Sequence, residues 1–354
     1  MRNFGSDKLS ALDAKFEAQK ISFGPIAFQA VRTMRDLGIL NMVEESRKEG
    51  ILVDDIVQEL KLSRYGVQVL LDAGISTGVV LQKDDRFYLT KTGYFILNDP
   101  LTRANLDFVQ DVNYLGFYHL EESIKTGKPE GLKVFGKWKT VYEGLASLPP
   151  KVQDSWFQFD HYYSDLVFPL VMPLIFADKP KKLLDIGGNT GKFSIKAAQY
   201  NPDVHITILD LPGQLDVAYQ NIEDANLSDR IDGFPIDLLD PSLPYPTGVD
   251  AIWMSQFLDC FSEEEIAHLL SRAFDALIPG GILYINETYW DRQKYIASSY
   301  SLNMTSLYFT AIANGNSRMY HSNDMIKLVK NAGFEIAEDI DGLGVSHTLL
   351  KCKK

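Results

Sequence analysis

A glycine-rich turn after an apolar run constrains the fold of this chain more than any other feature. The segment reads LLDIGGNTGKFS over residues 183 to 194. Turns of this kind join a strand to a helix, and their backbone N–H groups face a bound ligand. From Lys181 onward, strand patterns alternate with helix patterns, which predicts an open parallel sheet. The clearest strands are KKLLDIG, HITILDLP, VDAIWMSQFL and GGILYINET, and AGFEIAEDIDGLGVSHTLLKCKK predicts two closing strands.

The first hundred residues follow a different pattern. Apolar residues recur at helical spacing over 23–45, with a glycine stop at Gly38. A short helix over 53–60 and a second one over about 63–75 come next. The stretch VVLQKDDRFYLT then predicts a hairpin that turns at its two adjacent aspartates. Helix, turn, helix and hairpin make up a winged-helix plan.

These patterns predict an α/β protein of three parts. Aromatic-rich helices, with stretches such as FYHLEESI and SWFQFDHYYSDLVF, separate the N-terminal pattern from the strand-rich half. We therefore predict a winged-helix-like dimerisation domain over 1–100, a helical connection over 101–175, and a Rossmann-like, doubly wound domain over 176–354.

Composition excludes several classes of partner. The formal net charge is -12, which argues against broad binding to nucleic acid or anionic membranes. A winged-helix plan often serves DNA binding, yet residues 1–100 hold 13 Lys and Arg against 14 Asp and Glu. The apolar stretch LVFPLVMPLIFA is too short to cross a bilayer. Two cysteines and no apparent signal peptide predict a cytoplasmic protein.

The glycine turn is typical of an S-adenosylmethionine site. Its spacing is neither that of a phosphate-binding Walker loop nor GxGxxG, but it follows DxGxGxG with Asn189 at the middle glycine. This cofactor has no phosphate and carries an amino group and a sulfonium, so a carboxylate before the glycines favours it. Asp210 ends the next strand, where an acid can bind the ribose hydroxyls of the cofactor. The predicted contacts here are Asp185, Gly187, Gly188, Gly191, Asp210 and Leu211.

The chain resembles the S-adenosylmethionine-dependent O-methyltransferases of the plant caffeate and bacterial polyketide or carotenoid type. The N-terminal stretches that carry the resemblance are FQAVRTMRDLGIL, LDAGISTGVVLQKDDRFYLTKTGYFIL and FDHYYSD, and the C-terminal ones are DIGGNTG, LDLPGQ, PIDLLD and AGFE. The resemblance implies a homodimer formed through the N-terminal domain. It also implies cofactor contacts from Asp237 and Leu238 beside the adenine, and it places Ser255 where some relatives have lysine.

The sequence departs from the family pattern at the catalytic positions. SQFLDCFSEEE aligns with a family stretch like SHVLHDWSDEE, so Asp259 stands at the histidine that serves as general base. Glu287 matches the family glutamate, so the resemblance implies that Asp259 and Glu287 are the catalytic residues and position the acceptor. Ser317 stands at a second family glutamate. An ordinary aspartate near pKa 3.9 is about six units, or roughly 8 kcal/mol, short of a phenol near 10. Either burial raises the pKa of Asp259, or the acceptor needs no base, or the chain binds the cofactor without transferring methyl.

Acceptor residues follow from the resemblance as well. Aromatic and Met side chains at helical spacing are often residues of the hydrophobic core. Here they fall in segments that resemble the acceptor pocket of the family. The resemblance therefore implies a small aromatic or conjugated acceptor that is methylated on a hydroxyl or carboxyl group. No histidine spacing predicts a metal site. The predicted acceptor residues are Phe159, His161, Tyr162, Tyr163, Asn303 and Met304.

A lysine-rich loop over 125–139 allows two interpretations. The loop reads KTGKPEGLKVFGKWK, with five lysines against a single glutamate. It is either a solvated surface loop or a docking patch for an acidic carrier protein.

Overall fold

The computed structural model describes residues 6–240 and 242–354. Its contacts divide the chain into two compact units, one ending at Gln110 and the other running Asp111–Lys354. The first five residues of the predicted N-terminal domain lie outside the described residues. The division of the chain into three parts at 100 and 175 stays a prediction.

The N-terminal unit is helical with one small hairpin. Gly38, at φ 81°, separates the second and third helices as predicted, and the Ser63 side chain caps the fifth by accepting from Gly66 N. Asp84 and Asp85, at φ 49° and 61°, form the hairpin turn. The elements are α1 Ala11–Ser22, α2 Gly24–Asp36, α3 Ile39–Glu45, α4 Val53–Leu60, α5 Arg64–Thr77, β1 Val80–Lys83, β2 Arg86–Leu89, α6 Lys91–Asn98 and α7 Pro100–Phe108.

The second unit begins with helices and continues as a sheet interleaved with helices. Its helices are α8 Leu120–Thr126, α9 Val141–Gly144, α10 Pro150–Ser164, α11 Phe168–Phe176, α12 Lys192–Tyr200, α13 Pro212–Asp224, α14 Glu263–Ala276, α15 Ile296–Tyr308 and α16 Ser322–Asn331. Its strands are β3 Lys182–Ile186, β4 His205–Asp210, β5 Ile231–Pro235, β6 Val249–Ser255, β7 Leu277–Glu287, β8 Glu335–Leu343 and β9 His347–Lys353.

The sheet has the order β5-β4-β3-β6-β7-β9-β8. The first five strands in that order are parallel, and β9 and β8 close the sheet in antiparallel pairs. The order reverses between β3 and β6, and in open α/β sheets ligands bind at the carboxyl ends of the strands beside such a point. The structure confirms the predicted α/β fold. It also contains the edge strand β5, which is absent from the clearest predicted strands because Gly233 and Pro235 disfavour a strand in the sequence pattern.

Apolar side chains cover both faces of the sheet. One face packs against α14 and α16, with Ile252 and Leu283 buried, and the other against α11 and α12. On the latter face Phe193 stacks on Trp253 with ring centroids 4.4 Å apart. Because the central strands are buried on both faces, their sequences are continuous apolar runs. These runs are the pattern that predicted the strands. Among the described residues, no helix combines the length and apolarity that crossing a membrane requires.

Candidate active site

The glycine-rich turn lies between β3 and α12, at the carboxyl edge of the sheet. Gly187 and Gly191 adopt φ values of 74° and 76°, and Asn189 adopts 51°. Asparagine is one of the few residues besides glycine that adopt this left-handed conformation readily. Asn189 can therefore replace the middle glycine of the pattern. A 2.9 Å hydrogen bond from Gly191 N to Gly188 O closes the turn.

Asp185 lies beneath this turn rather than on an open surface. It is 2% exposed, and its Oδ2 accepts a 2.6 Å hydrogen bond from Ser194 Oγ. A Cβ on Gly188 would lie 2.8 Å from the same oxygen. Burial raises the pKa of Asp185 to about 7, although the Ser194 hydrogen bond opposes the rise. A positive charge beside the turn would favour the ionised carboxylate.

Asp210 ends β4 and is bonded directly to the glycine turn. Its Oδ2 accepts from Asn189 N at 2.8 Å, and its Oδ1 accepts from Leu211 N at 2.8 Å. Burial raises the pKa of Asp210 against the effect of these two backbone hydrogen bonds. The predicted contacts Asp210 and Leu211 therefore form one unit with the turn.

The remaining predicted cofactor contacts follow other strands at the same edge of the sheet. Asp237, exposed after β5, accepts from Leu239 N at 2.9 Å through Oδ1. Leu238 beside it is buried. Ser255 ends β6, and its Oγ accepts from Asn286 Nδ2 at 2.8 Å.

Glu287 ends β7 and holds the loop that follows β6. It is 1% exposed, and its Oε1 accepts hydrogen bonds from Phe257 N at 2.9 Å and Leu258 N at 2.8 Å. Its Oε2 is buried and has no hydrogen-bond partner among the described residues. Burial, and then the charge of Asp259, raise the pKa of Glu287 well above the ordinary value.

Asp259 lies on a single 3-10 turn, Leu258–Cys260, directly after that loop. It is 6% exposed, and its Oδ1 accepts a 3.5 Å hydrogen bond from Cys260 Sγ. Burial raises the pKa of Asp259 to about 7; the Cys260 hydrogen bond lowers it and the charge of Asp160 raises it. Burial thus raises the pKa of Asp259, the residue that the resemblance aligns with the family histidine, toward the ordinary pKa of a histidine.

The helix after this turn begins with a capping box. Ser262 Oγ accepts from Glu265 N, and Ser262 N donates to Glu265 Oε2 at 2.8 Å. Glu265 therefore stabilises the helix end.

Ser317, which the resemblance aligns with a second family glutamate, forms a neutral pair with Asn314. Ser317 is buried and its Oγ accepts from Asn314 Nδ2 at 2.8 Å. The same amide nitrogen donates to Cys260 O at 2.6 Å. Asn314, which the sequence analysis missed, therefore connects this loop to the turn that carries Asp259.

The predicted acceptor helices α10 and α15 lie against each other. Trp156 Nε1 of α10 donates a 2.7 Å hydrogen bond to Tyr308 Oη of α15. The Phe159 and Tyr163 ring centroids are 5.2 Å apart, and Tyr163 is buried.

The other predicted acceptor residues are more accessible. Tyr162 lies 6.3 Å from Tyr163 and His161 lies 5.6 Å from Phe157, measured between ring centroids. Burial lowers the pKa of His161. On α15 Asn303 is half-buried and Met304 is 44% exposed.

Asp160 is a second residue that the sequence analysis missed. It lies on α10 within FQFDHYYSD and is partly buried. Burial raises its pKa to about 6; Lys192 lowers that pKa and Asp165 raises it. An acid inside a helix of aromatic residues was the available signal, but the sequence does not show that the charge of Asp160 raises the pKa of Asp259.

The lysine-rich loop is partly neutralised within its own unit. Lys125 pairs with Glu121 at 2.5 Å, and Lys133 pairs with Glu122 at 2.6 Å. These pairs weaken the case for a carrier-protein patch. No cluster of His, Cys, Asp and Glu within residues 6–240 and 242–354 could hold a metal ion.

Two family profiles match the chain. Residues 15–87 match a Dimerisation2-like domain, and residues 117–335 match an O-methyltransferase domain. The L-tyrosine C(3)-methyltransferase of Streptomyces lavendulae is 29% identical over 75% of this chain and 72% of its own length. The 3-hydroxy-5-methyl-1-naphthoate 3-O-methyltransferase of Streptomyces sahachiroi is 26% identical over 68% of each chain.

The fold also matches solved structures. The apo S-adenosylmethionine-dependent methyltransferase SibL superposes with a TM-score of 0.72 at 23% identity, covering 95% of this chain and 98% of that one. None of these comparisons supports the alternative of an inert cofactor-binding protein.

Proposed function

The chain belongs to the O-methyltransferase family and uses S-adenosylmethionine, and on this premise we propose that it methylates the hydroxyl of a small phenolic acceptor. The observation that carries the proposal is a buried carboxyl, Asp259, whose pKa is raised to about 7 at the position of the family base. Phe159 and Tyr163 supply aromatic surface for a flat ring on a neighbouring helix.

The residues at the glycine turn fit this cofactor. S-adenosylmethionine supplies an electrophilic methyl group on a sulfonium. Asp185 provides negative charge under the turn, and Asp210 is fixed by two backbone hydrogen bonds where a ribose would lie. Asp237, Leu238 and Ser255 follow neighbouring strands and would complete the site around the adenosine. Among the described residues, no basic side chain is hydrogen-bonded to Asp185 or Asp210, and such a pair of acids suits a cationic guest better than a phosphate.

Asp259 would accept the proton of the phenol while the acceptor oxygen is held in line with the methyl group. A pKa near 7 leaves the base about three units below a phenol, or roughly 4 kcal/mol, about half the gap of an ordinary aspartate. Alignment of nucleophile and methyl supplies much of the remaining rate. Glu287 would position Asp259, since its Oε1 holds the backbone of the loop that leads to Asp259.

The proposal is tested by incubating the protein with methyl-labelled cofactor and a panel of phenols. We expect label in at least one phenol and none in the matching methyl ethers, which have no free hydroxyl. Binding of S-adenosylhomocysteine without label transfer to any member of the panel would favour the inert alternative. Neither binding nor transfer would contradict the proposal as a whole.

A ring carbon beside the hydroxyl is a second candidate for the methylated atom. The tyrosine enzyme, 29% identical to this chain, is named for methylation at C(3), whereas the naphthoate enzyme is named for 3-O-methylation. Deprotonation of a phenol makes both its oxygen and its ortho carbon nucleophilic, so Asp259 would serve either outcome. Methylation at carbon also requires the methylated carbon to lose its ring proton and the oxygen to regain one, which restores the phenol. A product that still titrates as a phenol identifies carbon methylation, and one that does not identifies oxygen methylation.

We further propose that the chain is a homodimer formed through its N-terminal unit. None of the residues Ala11–Ser22 is buried within the described protomer. Leu12, Phe16 and Ile26 are 80%, 59% and 66% exposed, and exposed apolar surface of this kind marks an interaction site. The Dimerisation2-like match supports the same assignment. The two free cysteines support the cytoplasm as its location.

The double substitution of Phe16→Asp with Ile26→Asp should convert the dimer to a monomer. Each substitution removes about 1.5–3 kcal/mol of apolar burial and introduces a charge, so the dimer dissociation constant should rise more than about a hundredfold. Light scattering should then give the mass of one chain, 39.9 kDa. Ala18→Asp, on the opposite side of α1 from Phe16, is the matched control and should stay dimeric. A double variant that stays dimeric would assign the interface elsewhere.

A further inference from the structure

A buried histidine that the proposed mechanism does not use contacts the loop after β6. His347 is the first residue of β9 and is 0% exposed. Its Nε2 lies 3.1 Å from Oε1 of Gln256, the residue directly after β6. In the sheet, β7 lies between β6 and β9. This hydrogen bond therefore joins the loop after β6 to β9 across the end of β7.

The hydrogen bond fixes the position of the proton on His347. An amide oxygen only accepts hydrogen bonds, so Nε2 carries the proton and donates to Gln256 Oε1. Burial lowers the pKa of His347 to about 4, which keeps the ring neutral. Nδ1 is then an unprotonated acceptor, and it is buried without a hydrogen-bond partner among the described residues. Packing alone would favour an apolar side chain here, so the contact with Gln256 is what the histidine adds.

Gln256 has a backbone conformation that residues with a side chain disfavour. Its φ of 47° lies in the left-handed region, where a Cβ is crowded by the backbone. Residues in such conformations persist where their surroundings hold them, and they cluster at functional sites. Two hydrogen bonds hold Gln256. One is the side-chain bond from His347, and the other is a 3.0 Å bond from Gln256 N to Asn286 O.

The residues after Gln256 contact both parts of the proposed active site. The next two backbone N–H groups donate to Glu287 Oε1, and Asp259 follows them. The Phe257 ring lies against the glycine turn, since a Cβ on Gly187 would be 2.3 Å from Phe257 Cδ2. A change of φ at Gln256 would redirect the chain that follows it. The conformation of Gln256 therefore sets the place of the proposed base and of the ring that packs on the turn.

We propose that His347 is a positioning residue for methyl transfer, because its hydrogen bond holds Gln256 in the left-handed conformation that places Asp259 and the Phe257 ring. The inference rests on the proposed function and adds a residue from the last strand of the sheet to it. His347 touches neither the acceptor nor the cofactor. It acts through the loop alone.

Three variants and one control test the proposal. His347→Leu removes the hydrogen-bond donor, whereas His347→Gln keeps one, because its amide nitrogen can replace Nε2. The double variant His347→Leu with Gln256→Gly removes both partners and supplies a residue that adopts positive φ without a Cβ penalty. His205→Leu makes the same change at the exposed first residue of β4 and is the matched control.

The measurements are kcat with a phenol from the panel at saturating cofactor, and the affinity for S-adenosylhomocysteine by calorimetry. His347→Leu should lower kcat about three- to tenfold, the shift that one neutral hydrogen bond supports. It should also weaken S-adenosylhomocysteine binding, because the Phe257 ring no longer packs on the turn. His347→Gln and His205→Leu should behave as the wild type. The double variant should recover both quantities to within about twofold, because glycine restores the backbone conformation.

A merely structural role would lower the unfolding temperature of His347→Leu and leave its kcat unchanged, and that result would overturn the inference. A loss of kcat that Gln256→Gly does not recover would also overturn it. If His347→Leu does not fold, nitrogen-15 spectra of the wild-type histidines decide, with His347 assigned by its absence from His347→Gln. Its ring should be neutral with the proton on Nε2 at about pH 6, and a charged ring or a proton on Nδ1 would contradict the inference. A wild-type protein that binds no S-adenosylhomocysteine and labels no phenol would instead overturn the proposed function, and this inference with it.

Discussion

Asp259→Asn should lower kcat by about 10²- to 10⁴-fold, the range that a positioned general base contributes. The substitution preserves shape and removes the ability to take a proton from the acceptor. Affinity for S-adenosylhomocysteine should stay within about twofold of the wild type, because the proposed cofactor contacts do not include Asp259. Single-turnover methyl transfer and calorimetry on the same preparation measure the two quantities.

The raised pKa of Asp259 also predicts how the reaction rate changes with pH. A base with a pKa raised to about 7 is protonated below that pH, so wild-type kcat/KM should fall as pH decreases through about 7. The Asp259→Asn variant should lack that acid limb. Glu264→Gln, an exposed residue in the first turn of α14, is the matched control and should keep both rate and profile. Unchanged turnover in Asp259→Asn would remove Asp259 from the mechanism.

Gly187→Ala should abolish tight cofactor binding. The φ of 74° costs an alanine about 1–2 kcal/mol, and the added Cβ would lie 2.3 Å from Phe257 Cδ2. The turn must therefore change shape, and restoring its ligand-binding geometry would cost at least that energy. We expect the affinity for S-adenosylhomocysteine to fall more than about tenfold. Methyl transfer should fall further, because Phe257 N also donates to Glu287.

Gly213→Ala is the control for this substitution. Gly213 lies in the first turn of α13 with nothing within 4 Å of an added Cβ, so its variant should bind the cofactor normally. Thermal unfolding of both variants separates loss of the site from loss of the fold. A Gly187→Ala protein that binds S-adenosylhomocysteine as tightly as the wild type would show that the turn does not form the cofactor site.

Much of the fold could be predicted because its signals are local. The strands of the parallel sheet are continuous apolar runs, the hairpin turns at Asp84 and Asp85, and Ser262 with Glu265 caps α14. Each of these patterns acts over a few residues of chain. The edge strand β5 was not predicted from the sequence because Gly233 and Pro235 have low strand propensity. Its pairing with β4 is a tertiary contact, which the local sequence does not show.

The sequence by itself determined the family, the fold class and the glycine turn with its two acids. These depend on spacing and on backbone conformation, both of which are encoded in short stretches. Only the tertiary structure decided that the charge of Asp160 on α10 acts on Asp259 and that burial raises the pKa values of both. The physical reason is that a pKa depends on solvent exclusion and on charges from distant parts of the chain, which folding alone brings together.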